Sequence, residues 1–199
     1  MRDIISSAEN YGVFEAVPAA VAAAAVYFVV RVILLKTKVI KRKPLVSEIS
    51  GVLLAGYIAA LLTIVWFSRW SSWGDFSYRI SHIGELWRDG YHYTNNGRVG
   101  RFFSGELLEY ERFEVLANVA LFVPMGFLLP IFWRRLSWWE TDLICLGATC
   151  VIEFVQPLWG GICDLDDIIT NALGGIVGCV LAKIAIAIKK RVKNQEKSS

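Results

Sequence analysis

Five stretches of this chain are apolar over the length needed to cross a bilayer: residues 15–35, 49–68, 113–133, 143–159 and 168–188. A membrane-spanning helix takes roughly 20 mostly apolar residues, with a range of about 17–25. Arg31 lies near the end of the first stretch and Lys183 near the end of the fifth. The fourth is the shortest and is interrupted by Glu153 and Gln156, so its length also suits a buried or re-entrant segment. Between the second and third stretches, residues 69–112 are too long for a structureless loop. They predict two short helices, over 78–88 and 104–114, separated by a turn-rich segment over 89–100 that holds Gly90, Asn95, Asn96, Gly97 and Gly100. Trp66, Phe67, Trp70 and Trp73 gather at the end of the second stretch and predict an aromatic belt at the membrane surface.

The charges orient these spans. Positive residues concentrate in short cytoplasmic connections. Lys36, Lys38, Lys41, Arg42 and Lys43 follow the first stretch, Arg134 and Arg135 follow the third, and Lys189, Lys190, Arg191, Lys193 and Lys197 follow the fifth. Segment 69–112 holds six arginines balanced by six acids and no lysine, and segment 160–167 holds three aspartates and no basic residue. Five spans, with the N-terminus outside and the C-terminus cytoplasmic, place every basic cluster inside. Four spans would put the basic tail opposite the 36–48 cluster, so the charges support the fourth span. The N-terminal arm and the first residue of that stretch carry Asp3, Glu9 and Glu15 against Arg2 alone, and the positive charge follows the apolar run, the reverse of a secretory signal.

The predicted fold is an all-α, polytopic integral membrane helical bundle, multi-pass in the plasma membrane. Residues 1–112 supply two spans and an extracytoplasmic loop (69–112), residues 113–188 a core of three spans, and residues 189–199 a basic cytoplasmic tail. That tail is expected to fray or to lie on anionic lipid.

Composition narrows the class. The chain has 199 residues, 55% of them hydrophobic and 20% charged, with a net charge of +3. That apolar content excludes disorder, and four cysteines in this length exclude a disulfide scaffold. Nucleic acid is not an expected partner, because the net charge is small and no lysine falls within 44–182. There is no phosphate loop, nucleotide-binding glycine fingerprint or nucleophile elbow. Cys145, Cys150, Cys163 and Cys179 lack zinc-ligand spacing, and His82 and His92 read as loop residues.

The informative residues are polar ones at apolar depth, which are costly there and tend to face the bundle interior. Asn118 sits in the third span, ahead of Pro124 and Gly126. It suits either a headgroup site beside a proline kink or an interhelical hydrogen bond. Glu153 and Gln156 are three apart and share a helix face. Glu153 suits a proton donor, a cation ligand, or a structural carboxyl bonded to Asn118 or Asn171. Asp164, Asp166 and Asp167 crowd the entry to the fifth span. One suits a helix N-cap, and the surplus suits cation binding, acid/base chemistry or a solvated acidic turn. Asp167, Asn171, Gly174 and Gly178 are spaced four, three and four, which makes one stripe with a GxxxG close-packing pattern. That packing would hold Asp167 and Asn171 against another helix, with Glu153 the candidate to face them.

These residues carry a resemblance. Asn118-x-x-x-Phe122-x-Pro124-x-Gly126, then Glu153-x-x-Gln156, then Asp164-x-Asp166-Asp167-Ile-Ile-x-Asn171-x-x-Gly174-Gly175-x-x-Gly178 resembles the VanZ-like family. The three blocks lie in order on three successive spans, from about Asn118 to Leu181. The resemblance implies a small polytopic plasma-membrane protein, with a link for some members to reduced susceptibility to teicoplanin-type glycopeptides. It implies no established reaction. It also implies, for many members, a basic residue in the turn before the aspartates, whereas residues 160–163 of this chain contain none.

Three function classes follow. A binding or shielding protein would use the outer polar site, under the 69–112 loop, to engage a lipid-linked cell-wall intermediate or the glycopeptide. A membrane enzyme would use Glu153 or Asp167 as general acid/base, with Asn118, Gln156, Asp164 and Asn171 orienting substrate and a divalent cation on Asp164 and Asp166. A transporter would relay protons through Glu153, although five spans without repeats do not point to alternating access. A structural membrane protein, contacting lipids alone, is the remaining alternative.

Overall fold

A computed structural model describes residues 13–66, 73–90, 97–159 and 163–196. In chain order they form α1 (Val13–Lys36), α2 (Leu45–Val65), α3 (Trp73–Ser81), α4 (Ile83–Gly90), α5 (Arg98–Ser104), α6 (Glu109–Phe132), α7 (Trp138–Val155), one 3-10 turn (Gln156–Trp159) and α8 (Leu165–Gln195). The described residues contain no strand. Five helices are long and apolar enough to cross a membrane: α1, α2, α6, α7 with its 3-10 turn, and α8. Phe67 and Trp70 of the aromatic belt, the acidic arm over 1–12, the turn over 91–96 and the turn over 160–162 lie outside the described residues.

Every long helix starts before its apolar stretch, because polar chemistry, not hydropathy, sets a helix end. At α7, Ser137 and Glu140 form a capping box. The Ser137 Oγ accepts from the Glu140 N–H at 3.4 Å, and the Glu140 carboxylate accepts from the Ser137 N–H at 2.7 Å. The helix therefore begins five residues before the apolar run. At α8, Asp164 is the N-cap, its Oδ1 accepting from the Asp166 N–H at 2.9 Å. That helix continues through the basic tail to Gln195, for a length of roughly 46 Å at 1.5 Å per residue. The segment expected to be helical over 104–114 divides instead. Gly105 (φ +79°) ends α5 in the left-handed conformation, and Glu109 opens the third long helix.

α6 and α8 are the central pair. Their backbones touch, because glycines remove the side chains that would separate them. A Cβ on Gly174 would overlap the carbonyl oxygen of Val119, one on Gly178 that of Val123, and one on Gly126 that of Gly175. Phe122, Met125 and Leu129 of α6 form the buried core with Cys145 and Ile152 of α7 and Leu54 and Leu61 of α2. α2 is tied to α6 by hydroxyls. Ser47 Oγ donates to the Ile131 carbonyl at 2.7 Å and Ser50 Oγ to that of Leu128 at 2.8 Å. α1 packs on α2, with Gly56 against the backbone of Ala20. At one end of that pair Arg31 is not merely reaching toward a membrane surface. It makes a bidentate ion pair with Glu48, Nε to Oε2 and Nη2 to Oε1, both at 2.7 Å. At the same end, Lys183 Nζ donates to the Leu136 carbonyl at 3.0 Å, and Trp133, Trp138 and Trp139 are exposed. These tryptophans gather at the end of the bundle away from Trp66, in the pattern of an aromatic belt.

Gly174→Ala is expected to cost a net of about 1–3 kcal/mol, since the added methyl must push the α6 and α8 backbones apart. Gly147→Ala, where a Cβ meets nothing within 4 Å, is expected to stabilise by about 0.5–1 kcal/mol through helix propensity. Thermal unfolding in detergent, followed by circular dichroism, separates the two. Equal midpoints would disprove the backbone contact.

Candidate functional site

The start of α8 meets the start of α6 at one end of the bundle. There α5, the last short helix before α6, lies across both. The side chain that joins them is Arg98, the first residue of α5, which is 13% exposed. Its Nη1 lies 2.8 Å from Glu114 Oε2 on α6. Its Nη2 bonds Asp164 Oδ2 and lies 3.5 Å from Asp167 Oδ1. Its Nε lies 4.0 Å from Asp166 Oδ2. Burial works against the charge of Arg98, but Asp167 and Asp164 hold its pKa above the ordinary arginine value.

Each aspartate has a distinct place. Asp164 is the α8 cap, and its own N–H donates to Glu153 Oε2 at 3.1 Å. Asp166 accepts from the backbone N–H groups of Arg98, at 3.1 Å, and Val99, at 3.3 Å. Its carboxylate thus satisfies two of the donors that open α5. Asp167 Oδ1 accepts from Asn118 Nδ2 at 2.7 Å, across the glycine-mediated contact of α6 and α8. The Asp167 side chain is 25% exposed, against 9% for Asp164 and 4% for Asp166, so it is the most accessible aspartate.

The remaining predicted residues lie deeper or to the side. Glu153 on α7 is 2% exposed and holds the turn that enters α8. The partner that sequence reasoning offered it was Asn118 or Asn171. The backbone of Asp164 fills that role instead, and Asn118 goes to Asp167. Asn171, one turn below Asp167, donates from Nδ2 to Thr149 Oγ1 at 2.9 Å, and its Oδ1 is buried without a hydrogen-bond partner among the described residues. Gln156 caps the end of α7, is half-buried in the 3-10 turn, and makes no hydrogen bond to the other candidates among the described residues. Arg79 of α3 donates to the carbonyl of Leu158 in that turn at 3.1 Å, which ties the segment between α2 and α6 to it. Cys163, buried beside the cluster, has its thiol pKa raised by burial, with Glu153 and Asp164 adding to the effect.

Among the described residues, no group of three or more His, Cys, Asp or Glu side chains converges as a metal site would. The oxygens of Asp164 and Asp166 that would face a divalent cation face the guanidinium and backbone N–H groups instead. One guanidinium lies within 4.0 Å of four carboxylates, those of Glu114, Asp164, Asp166 and Asp167. The arrangement is therefore rich in hydrogen-bond acceptors and suits a ligand with donors, such as an ammonium group or sugar hydroxyls.

The model of the VanZ/LLP1 family matches residues 54–186. The chain belongs to that family. The match takes in α6, α7, α8 as far as residue 186, the Arg98 helix and all the predicted site residues. A curated relative, Protein VanZ of Enterococcus faecium, is 30% identical over 69 residues, which are 34% of this chain and 43% of that protein. The chain thus spans less than half the length of the curated relative it matches. No solved structure matches the chain. The turn before the aspartates lacks the basic residue that the VanZ-like pattern implies, and here Arg98 brings a guanidinium to those aspartates from α5.

Arg98 and Glu114 are the site residues that sequence reasoning missed. Nothing local distinguishes Arg98 from the other five arginines of segment 69–112. The available signal was the pairing of an arginine-only segment with a three-aspartate turn on the same side of the predicted membrane.

Arg98→Met leaves several carboxylates without their cation and is expected to cost about 3–5 kcal/mol. Arg98→Lys keeps the charge, lacks the planar fork, and is expected to fall between. Limited proteolysis between α5 and α6 should speed up in the same order. Unchanged cleavage in Arg98→Met would mean that this side chain does not hold α5 to the bundle.

Proposed function

We propose that this VanZ/LLP1-family protein lies in the plasma membrane with its N-terminus outside and C-terminus cytoplasmic. In this reading, the Arg98–Asp167 cluster opens to the outer face and binds a polar group of a cell-envelope component. The candidates are a lipid-linked cell-wall intermediate and a teicoplanin-type glycopeptide, and binding or shielding at this point lowers susceptibility to such glycopeptides. The observation that carries the reading is the accessible Asp167 carboxylate. Asn118 and Arg98 both reach its Oδ1, and among the described residues neither a hydrogen bond nor an ion pair reaches its Oδ2. The likeness to Protein VanZ supports the envelope link. The basic residues of 36–48 and 189–193 support the orientation, since both clusters then fall on the cytoplasmic side.

A second reading shares the site. Asp167 is held in place and partly open, which also suits a general acid/base acting on a lipid-linked envelope substrate. Glu153 then serves as a positioning residue, because it is enclosed and its carboxylate holds the Asp164 backbone.

Binding is measured with purified protein in lipid vesicles, titrated with teicoplanin and, separately, with lipid-linked wall precursor. Asp167→Asn and Arg98→Lys are expected to weaken binding at least tenfold, equivalent to about 1.4 kcal/mol, while Arg88→Gln, on the exposed side of α4, binds as the parent does. Parent affinity in Asp167→Asn would overturn the binding reading. Asp167→Asn protein that binds precursor normally but no longer converts it would favour the enzyme.

A further inference from the structure

At the end of the bundle opposite Arg98, the first turn of α2, the last turn of α6 and the final third of α8 enclose a cleft of about 530 Å³. Small-molecule sites occupy about 300–1,000 Å³, so the cleft is of ligand size. Its lining divides by chemistry. Val46, Ile131 and Ile186 line its apolar side. Arg134, Lys189, Lys190 and Lys193 supply four cations, and no acidic residue lines the cleft. Lys193 is four residues from Lys189 and three from Lys190, so the lysines share one face of α8.

These cations are uncommitted. Several other polar groups at this end answer one another: Glu48 takes Arg31, Glu140 takes Ser137, and Lys183 takes the Leu136 carbonyl. Lys43 lies over the Phe132 ring, 3.7 Å from its centroid. Ser47, though it lines the cleft, donates to Ile131. Arg134, Lys189, Lys190 and Lys193 have neither an ion pair nor a hydrogen bond among the described residues, and all four are exposed.

The position fixes what such a cleft can take. Arg134 directly follows Trp133, whose exposed ring belongs to the belt that marks the boundary between polar headgroups and hydrocarbon. The apolar residues lie on the side of the helical spans and the cations on the side of the tail. A ligand must therefore be amphipathic, with an anionic head among the cations and a hydrocarbon chain along Val46, Ile131 and Ile186. We propose that this cleft is a binding site for one anionic phospholipid, whose phosphate is held by Arg134, Lys189, Lys190 and Lys193. A basic pocket between membrane helices holds an anionic head group at a defined place, whereas a basic tail lies on a charged surface without one. The site is independent of the Arg98 cluster, which lies at the other end of α8.

The test uses the full chain in neutral detergent, titrated with short-chain phosphatidylglycerol, with phosphatidylcholine of the same chain length, and with inorganic phosphate, read by native mass spectrometry. Phosphatidylglycerol is expected to bind at least tenfold more tightly than phosphatidylcholine, and inorganic phosphate should not displace it. The triple variant Lys189→Gln, Lys190→Gln, Lys193→Gln is expected to lose that preference. The triple variant Lys36→Gln, Lys38→Gln, Lys41→Gln changes the charge of the same end equally and should keep it within twofold. Ala185→Trp, which fills the cleft and leaves its charges intact, should weaken phosphatidylglycerol at least tenfold. Equal losses in the two lysine variants would show that charge alone attracts the lipid and would overturn the site. Full binding by Ala185→Trp, or displacement by inorganic phosphate, would overturn it as well.

Discussion

The direct backbone contact of α6 with α8 is the constraint on which the rest of this structure depends. Hydrocarbon lipid gives two apolar helices little reason to prefer each other, so close van der Waals packing must hold them. Gly126, Gly174 and Gly178 permit that closeness because each faces a backbone atom of the other helix. The same contact sets the distance between Asn118 and Asp167, whose 2.7 Å hydrogen bond bridges the two helices near their starts. Lower in the bundle, α7 packs against this pair with Cys145 beside Gly175, and α2 hangs from α6 by the hydroxyls of Ser47 and Ser50.

The polar chemistry is layered on that frame. Asp167 is placed by helix packing, and Asp164 by its role as cap. Asp166 is turned outward to the first N–H groups of α5. Arg98 then collects the charges of residues that arrive from two long helices, which gives a cluster that no single segment contains. Buried ion pairs gain little over apolar packing and are costly to break singly. The value of this one is positional, since it lays α5 across the ends of α6 and α8 and leaves Asp167 partly open. Glu153 contributes from below by fixing the Asp164 backbone. The two ends of α8 thus differ in sign: one is acidic and largely satisfied, the other basic and unpaired.

Much of this was legible along the chain. The five spans were visible as apolar runs, and the fourth, interrupted by Glu153 and Gln156, was supported by where the basic residues fall. The pairing of Asp167, Asn171 and the glycines on one stripe followed from helical spacing alone. The partners of these residues did not follow. Spacing offered Glu153 the asparagines, whereas the fold joins Asn118 to Asp167, Asn171 to Thr149 and Glu153 to a backbone N–H. Hydropathy also misplaced helix ends by several residues, because caps such as Ser137 and Asp164 are polar and lie outside the apolar count.

The sequence by itself determined that the chain is a bundle of apolar helices, that its polar residues gather on the last three spans, and that these carry the VanZ-like pattern. Such properties are local, since apolar length and helical period act over a few turns of one segment. Only the tertiary structure decided that Arg98, one of six similar arginines in a distant segment, is the cation of the acidic cluster, and that four basic residues from α8 and the end of α6 surround a cleft. The physical reason is that a charge is neutralised by whichever partner lies within a few ångströms, and those distances arise only when α5, α6 and α8 meet.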